Sequence, residues 1–434
     1  MYSSTTKKEK INRDYFSEGI RDLISIFQRS ENFERKEILN KLDALSSFTP
    51  ARKLLDETKR LFSIYQKEGL SMEYLAKINL LTSLVDIEND KFVPISQNFS
   101  QLYKEQKKTK GVSFLCPELN KRTGGIVNGT LSVIMGCSGS MKTTYSVNLC
   151  YNAIKNGKNV LYLSLEETPF QLYSKLLSRV SMDVNSQKGL QHKDIIQHNL
   201  SEMDEEYMFE KVSPYLEGLK GNFLIAGESD LANYDFMILE SKIKEIDQVM
   251  KQMSKEKNGE EDHGIDILVV DHIQLLKYAD SSKDPISLIN TYVSFFRKQS
   301  LNFLHQKREI IIILLAQANR EGIAYSKKHD GSYLIQHIDC ASEIERSASY
   351  VVSVYSDAEC QVSKMLKVGA LKLRGAQLPL DTINIYAEGT YYKVGSIEDE
   401  NQQDYDMADI LDINNFGDNT NNKVSMEILE EFDQ

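Results

Sequence analysis

Leu131-Ser-Val-Ile-Met135-Gly136-Cys137-Ser138-Gly139-Ser140-Met141-Lys142-Thr143-Thr144 is the stretch on which the fold turns. Leu131 to Met135 reads as a buried strand, and the residues from Thr143 to Lys155 carry a helix. The turn between them is built from small residues. It is the place where backbone amides and a helix N-terminus converge on a phosphate. In such a loop Gly136 to Thr144 form the cradle, Lys142 reaches the β- and γ-phosphates of a nucleotide, and the Thr143 hydroxyl holds Mg²⁺. Met141 stands where the pattern asks for glycine. Right-handed dihedrals there would cost little, whereas a positive φ would cost about 1 kcal/mol or more.

Hydrolysis of a bound nucleotide needs carboxylates, and two strand ends supply them. Ile265 to Val270 is an apolar strand that ends in Asp271, at the edge where α/β sheets place their sites, so Asp271 becomes a Mg²⁺ ligand. Val160 to Leu165 delivers Glu166 and Glu167 to the same edge, with Glu166 as the base that activates water. Ile310 to Ala316 leads into Gln317-Ala-Asn-Arg320, which places a polar sensor, Gln317, where a buried run stops.

Around these signals, short apolar runs alternate with helical stretches from Gly111 onward. Further runs are Phe223 to Ala226, Tyr350 to Tyr355 and Ala370 to Leu373. That alternation predicts an α/β domain with a mostly parallel sheet covered on both faces. Within it, the charged patch Lys251 to His263 reads as a solvated insertion between helix and strand. Residues 1–93 carry apolar positions at helical spacing and predict a small all-α N-terminal domain. Residues 94–110 read as a linker with one helix, Ser96 to Lys107, and 111–395 as the α/β domain. Residues 396–434 are rich in Asn, Asp, Gln and Glu, which predicts a mostly disordered acidic tail. An amphipathic peptide in that tail, Val424 to Phe432, could dock on a partner.

The formal net charge of −11 is a property of the tail. Glu398 to Gln434 holds twelve acids and one base, which leaves 51 charges of each sign elsewhere (63 less twelve, 52 less one). The acidity therefore does not exclude a nucleic-acid partner for the body. No run approaches the roughly 18 apolar residues of a membrane span. Five cysteines without a CxxC pair read as reduced thiols of a cytoplasmic protein. Seven histidines scattered along the chain suggest no metal cluster.

With these segments in view, residues from Gly111 to about Val394 resemble the motor domain of DnaB-type replicative helicases, a RecA-like P-loop fold. The segments that carry the resemblance are Glu118 to Gly129, Gly136 to Thr144, Ser164-Leu-Glu166, Val270-Asp271-His272-Ile-Gln-Leu-Leu276, Leu315 to Arg320, Ile344 to Val352 and Leu371-Lys372-Leu-Arg374-Gly375. His272 stands where a tyrosine is usual. The resemblance implies an ATP- and Mg²⁺-dependent DNA helicase that forms a homo-oligomeric ring, a hexamer. Such a ring moves 5′ to 3′ along single-stranded DNA and opens forked duplexes. It also implies that Lys372 and Arg374 act on a neighbouring subunit's ATP, with Arg374 as a trans arginine finger. DNA-contact loops are expected after Leu276 and around Arg320, with Lys277, Lys283, Arg320, Lys327 and Lys328 meeting phosphates. Asp339-Cys-Ala-Ser342 replaces an Arg-Glu-Ser-Gly-like turn of the family and removes a basic contact. Primase, a loader or another replication protein would meet the N-terminal domain or the acidic tail. Two other readings stay open: a DNA-stimulated ATPase or recombination mediator that does not unwind, and a nucleotide-bound scaffold of a replication complex.

Overall fold

The computed structural model describes residues 111–227, 236–259, 263–276, 285–306, 308–338, 341–379 and 381–395. The all-α N-terminal domain, the linker helix and the acidic tail that the sequence predicts lie outside the described residues, as do Lys277, Lys283, Asp339 and Cys340.

Nine strands form one sheet in the order β3-β2-β4-β5-β1-β6-β7-β8-β9. They are β1 (Leu131–Gly136), β2 (Val160–Ser164), β3 (Phe223–Gly227), β4 (Ile267–Asp271), β5 (Ile311–Gln317), β6 (Tyr350–Tyr355), β7 (Met365–Leu373), β8 (Ile383–Glu388) and β9 (Lys393–Val394). The first six run parallel, and β7, β8 and β9 add on antiparallel. The last two were not foreseen in the sequence, and β7 begins five residues before the expected Ala370.

The parallel strands are nearly continuous apolar runs because both faces are covered. Successive side chains leave the sheet on opposite sides. Ile134, Tyr162, Val269 and Ile313 join one core, while Val133, Met135, Leu163, Val270 and Leu314 join the other. The first core is capped by α1 (Lys142–Lys155) and α2 (Pro169–Val184), which contribute Tyr145, Leu149, Leu172 and Leu176. The second is capped by α3 (Phe236–Asn258) and α4 (Pro285–Leu301) through Leu239, Ile243, Tyr292 and Phe296. The shorter helices that follow include α5 (Arg320–Lys328) and α6 (Ala341–Ser347).

The charged patch from Lys251 is not the insertion that its composition predicts. Instead α3 runs through it to Asn258, with Met250 and Ser254 buried and Lys255, Glu256 and Lys257 exposed. A helix needs only one apolar stripe, so a charged stretch can still be regular structure.

β1 lies in the middle of the sheet between β5 and β6, so the loop that follows it is flanked by strand ends on both sides. Ala318 donates from its amide to the Gly136 carbonyl at 3.0 Å, which ties the end of β5 to the start of the loop.

Candidate active site

The phosphate loop sits where the sequence puts it, between β1 and α1. A Cβ on Gly136 would come within 2.4 Å of Ser140 Oγ and 2.5 Å of the Val354 carbonyl, so only glycine fits at the strand end. Gly139 has φ +75, a left-handed conformation open to glycine. Met141 is left-handed as well, with φ 69 and ψ 23, which settles the conditional raised by its side chain in favour of the strained case. Lys142 Nζ donates to the Cys137 carbonyl at 2.9 Å and folds back over the loop. Burial pulls the Lys142 ammonium below its usual range, opposed by the charges of Asp271 and Glu166.

Asp271 closes β4 opposite Ser164 of β2, and the two strand ends fan their next residues toward the loop. Thr143 Oγ1 and the Tyr162 hydroxyl both donate to Asp271 Oδ2 at 2.8 Å, and Ser146 Oγ lies 2.7 Å from that hydroxyl. Asp271 Oδ1 is buried with no hydrogen-bond partner. A carboxylate oxygen without a donor, beside a threonine hydroxyl at the root of a phosphate loop, fits a divalent cation. Burial raises the Asp271 carboxyl above the usual range, opposed by the hydrogen bonds from Thr143 and Tyr162.

The two adjacent acids part company. Glu167 is ion-paired with Lys175, and its carbonyl accepts from Ser164 Oγ at 2.7 Å. Glu166 turns the other way, and its Oε2 lies 3.1 Å from His272 Nδ1. Neither acid caps α2, because Thr168 does so in a reciprocal box with Gln171. Glu166, Asp271 and His272 each offer a ligand atom within 4.8 Å of the others. Histidines scattered in sequence are thus not all isolated in space. Burial lowers the His272 imidazole below its usual range, against the pull of Glu166 and Asp271.

The phosphate loop and Glu166 line a cleft of about 470 Å³. Ser138, Gly139, Met141, Lys142, Thr143 and Thr144 form its floor, with Glu166 and Gln317 on the sides. Gln317 is held by its neighbour: its amide donates to Gln274 Oε1, and its carbonyl accepts from Gln274 Nε2, both at 3.3 Å. Glu167 and Lys175 add to the wall, and Gln361, Gly389, Thr390 and Tyr392, which carried no signal in the sequence, complete it. Tyr392 is placed by Asn148 of α1, whose Nδ2 donates to its carbonyl at 2.7 Å. Asn148 Oδ1 also accepts from the Val394 amide at 3.1 Å and from Arg179 Nε at 2.9 Å.

Two expected site residues are elsewhere. Because β7 runs antiparallel, its end lies abreast of the beginning of β1. The Arg374 amide donates to the Ser349 carbonyl at 2.9 Å, and the Ser349 amide donates to the Leu131 carbonyl at 2.7 Å. Leu131 is five residues from Gly136, or about 16 Å along a strand. Lys372 pairs with Val351 and donates to the Glu345 carbonyl. Burial and then Arg374 lower the Lys372 ammonium, and the same two causes act on Arg297 of α4, so three cations gather at this far end. Neither Lys372 nor Arg374 lines the cleft of its own chain. Arg320, Lys327 and Lys328 are exposed at the two ends of α5, which begins three residues after Gln317.

Comparison with known proteins bears on this arrangement. The family model for the DnaB-like helicase C terminal domain matches residues 111–391. The chain belongs to that family. The replicative DNA helicase DnaB of Haemophilus influenzae is 24% identical over 347 residues, which cover 77% of this chain and 66% of that protein. DnaB of Pasteurella multocida is 25% identical over 258 residues, covering 57% and 46% respectively. The chain thus spans about two thirds or less of the length of these curated relatives. Among solved structures, an ATPase domain determined on its own superposes with a TM-score of 0.55 at 16% identity, covering 71% of this chain and all of that one. A DnaB-like replicative helicase, described with its interactions with primase, gives 0.57 at 16% identity, covering 79% and 75%. The RecA-like architecture of this family is therefore the fold of the described residues. Among those residues, no helix is long and apolar enough to cross a membrane.

Proposed function

We propose that this DnaB-family chain is an ATP-driven DNA helicase working as a homo-oligomeric ring, a hexamer, that moves 5′ to 3′ on single-stranded DNA and opens forks. The observation that carries the reading is the division of the charged groups between two ends of one sheet. The cleft holds Lys142, Thr143, Glu166 and Gln317, with Asp271 bonded beneath Thr143, while Lys372 and Arg374 sit about 16 Å away along β1. A γ-phosphate at the cleft can meet Arg374 only from another copy, so the site is complete at a seam between subunits.

In this scheme the loop amides and Lys142 bind the phosphates. Thr143 and Asp271 hold Mg²⁺, which when bound neutralises phosphate charge. Glu166 orients a water and takes one of its protons. The water oxygen bonds to the γ-phosphorus as the bond to the β–γ bridging oxygen breaks, giving ADP and phosphate. Gln317 reads the γ-phosphate, and Gln274, bonded to its backbone, couples the end of β5 to the segment that follows β4. The neighbour's Arg374 and Lys372 balance transition-state charge, which in trans-arginine systems is worth on the order of 10³–10⁵ in rate. Single-stranded DNA would be gripped by Arg320, Lys327 and Lys328, with Lys277 and Lys283 from the preceding loop. Primase, a loader or another replisome protein would engage residues 1–93 or the tail.

The test combines mass measurement in ATP with unwinding of forked duplexes. The expected result is an oligomer, DNA-stimulated ATP turnover abolished by Glu166→Gln, and displacement that needs a free 5′ tail. Mixing Lys142→Ala with Arg374→Ala subunits should restore part of the activity that each lacks alone. A monomer that turns over no ATP overturns the reading, and turnover without displacement moves it to a mediator.

A further inference from the structure

The register of β2 against β4 has a consequence for the water-activating acid. Ser164 faces Asp271, and the Leu165 amide donates to the Asp271 carbonyl at 2.8 Å, so Glu166 and His272 leave adjacent strand ends side by side. His272 is 5% exposed and extended, with φ −123 and ψ 158, and its own carbonyl accepts from the Leu275 amide at 3.0 Å. It is a fixed post. The Glu166 side chain, by contrast, is 48% exposed, and its neighbour Glu167 is committed to Lys175. An ionised carboxylate can only accept hydrogen bonds, so the 3.1 Å contact makes Nδ1 the protonated nitrogen and the donor.

We propose that His272 is the positioning residue for Glu166: its Nδ1–H, anchored by the end of β4, holds the carboxylate in the orientation from which it accepts the proton of the attacking water. This rests on the reading of Glu166 as the base. A long side chain of which nearly half is open to solvent samples several rotamers, and a displacement of about 1 Å in a reacting group can cost on the order of 100-fold in rate. The hydrogen bond selects one of those rotamers. His272 does not touch water or phosphate in this role; it acts through the acid. The proposal also gives a use to the departure from tyrosine at this position. A tyrosine hydroxyl extends well beyond an imidazole Nδ1, so it would approach a carboxylate from a different direction.

The experiment uses the full chain with Glu166→Gln, His272→Ala, His272→Asn and His272→Gln. An asparagine amide N–H falls near the place of Nδ1, and a glutamine amide falls nearer Nε2. Steady-state ATP turnover is measured with and without single-stranded DNA, and binding is measured with a fluorescent ATP analogue. His272→Ala should lower kcat by about 10- to 100-fold, with KM and analogue binding within about twofold of the parent. His272→Asn should recover most of that loss and His272→Gln little of it. In the Glu166→Gln background, His272→Ala should lower the residual rate no further.

The inference is overturned if His272→Ala and His272→Asn lose equally, or if His272→Ala keeps the parental kcat. It is also overturned if raising Mg²⁺ repairs the His272→Ala loss, since the imidazole would then serve the cation. Should the alanine variant fail to fold, the asparagine and glutamine pair carries the test. Should Glu166→Gln itself remain active, the role of Glu166 falls first and separately.

Discussion

Replacing Met141 by alanine and by glycine measures the strain in the phosphate loop. At φ 69 and ψ 23 an L-residue pays about 1–2 kcal/mol that glycine does not. Glycine in turn loses more freedom on folding, about 0.5–1 kcal/mol relative to alanine. The balance makes Met141→Gly the more stable of the two by about 0.5–1 kcal/mol, the reverse of the order in an ordinary helix. The methionine side chain is partly buried against the core that α1 covers, so truncating it costs about 1 kcal/mol in either variant. The expected order is therefore the parent and Met141→Gly nearly level, with Met141→Ala about 1 kcal/mol below. Urea unfolding followed by far-ultraviolet circular dichroism, without nucleotide, reads these differences as shifts in midpoint at constant slope. If the alanine variant equals or exceeds the glycine variant, the residue is not held in the left-handed region and the reasoning fails.

Two further tests address the frame around the cleft. Asn148→Ala should weaken binding of a fluorescent ATP analogue several-fold, because it releases Tyr392, Val394 and Arg179 at once; undiminished binding would mean that the Tyr392 wall stands without it. Burial raises the Asp183 carboxyl, but Arg179, the Tyr151 hydroxyl and Lys155 outweigh it and hold it below the usual range. Its stabilisation is therefore present above the unfolded value of about 3.9 and disappears as pH falls through the lower folded value. Asp183→Asn should cost on the order of 3 kcal/mol near pH 7, since it removes the carboxylate charge that faces the buried Arg179 guanidinium. The gap should narrow as pH falls below about 3.9; a gap independent of pH would refute the ionic explanation.

The legible parts of this molecule are those whose signal is local. A run of apolar residues, a turn of small ones and Lys-Thr-Thr announce β1, the loop and α1 within 25 residues, and the strand ends carrying Glu166, Asp271 and Gln317 are equally local. The parallel sheet follows from the alternation of such runs with helices. What escaped depends on register or on distant contacts. His272 meets Glu166 only because β2 and β4 pair with Ser164 opposite Asp271, across 106 positions of sequence. Tyr392 reaches the cleft through Asn148, 244 positions away. The Ile-Asn-Ile-Tyr-Ala-Glu stretch of β8 does alternate, but a strand of six residues gives little to count. Charge misled at Lys251 to Asn258, where solvated side chains sit on a regular helix. The conformation of Met141 could only be posed as a choice, because residue identity does not fix the sign of φ.

The wall made by Gly389, Thr390 and Tyr392 belongs to the last stretch of the described chain, although the loop it faces is completed some 245 residues earlier. During synthesis the phosphate cradle therefore emerges long before the surface that shuts it. On the function proposed above, nucleotide capture then serves as a certificate that the far edge of the sheet has docked, and a chain cut before β9 is expected to hold a fluorescent ATP analogue more loosely than the full chain.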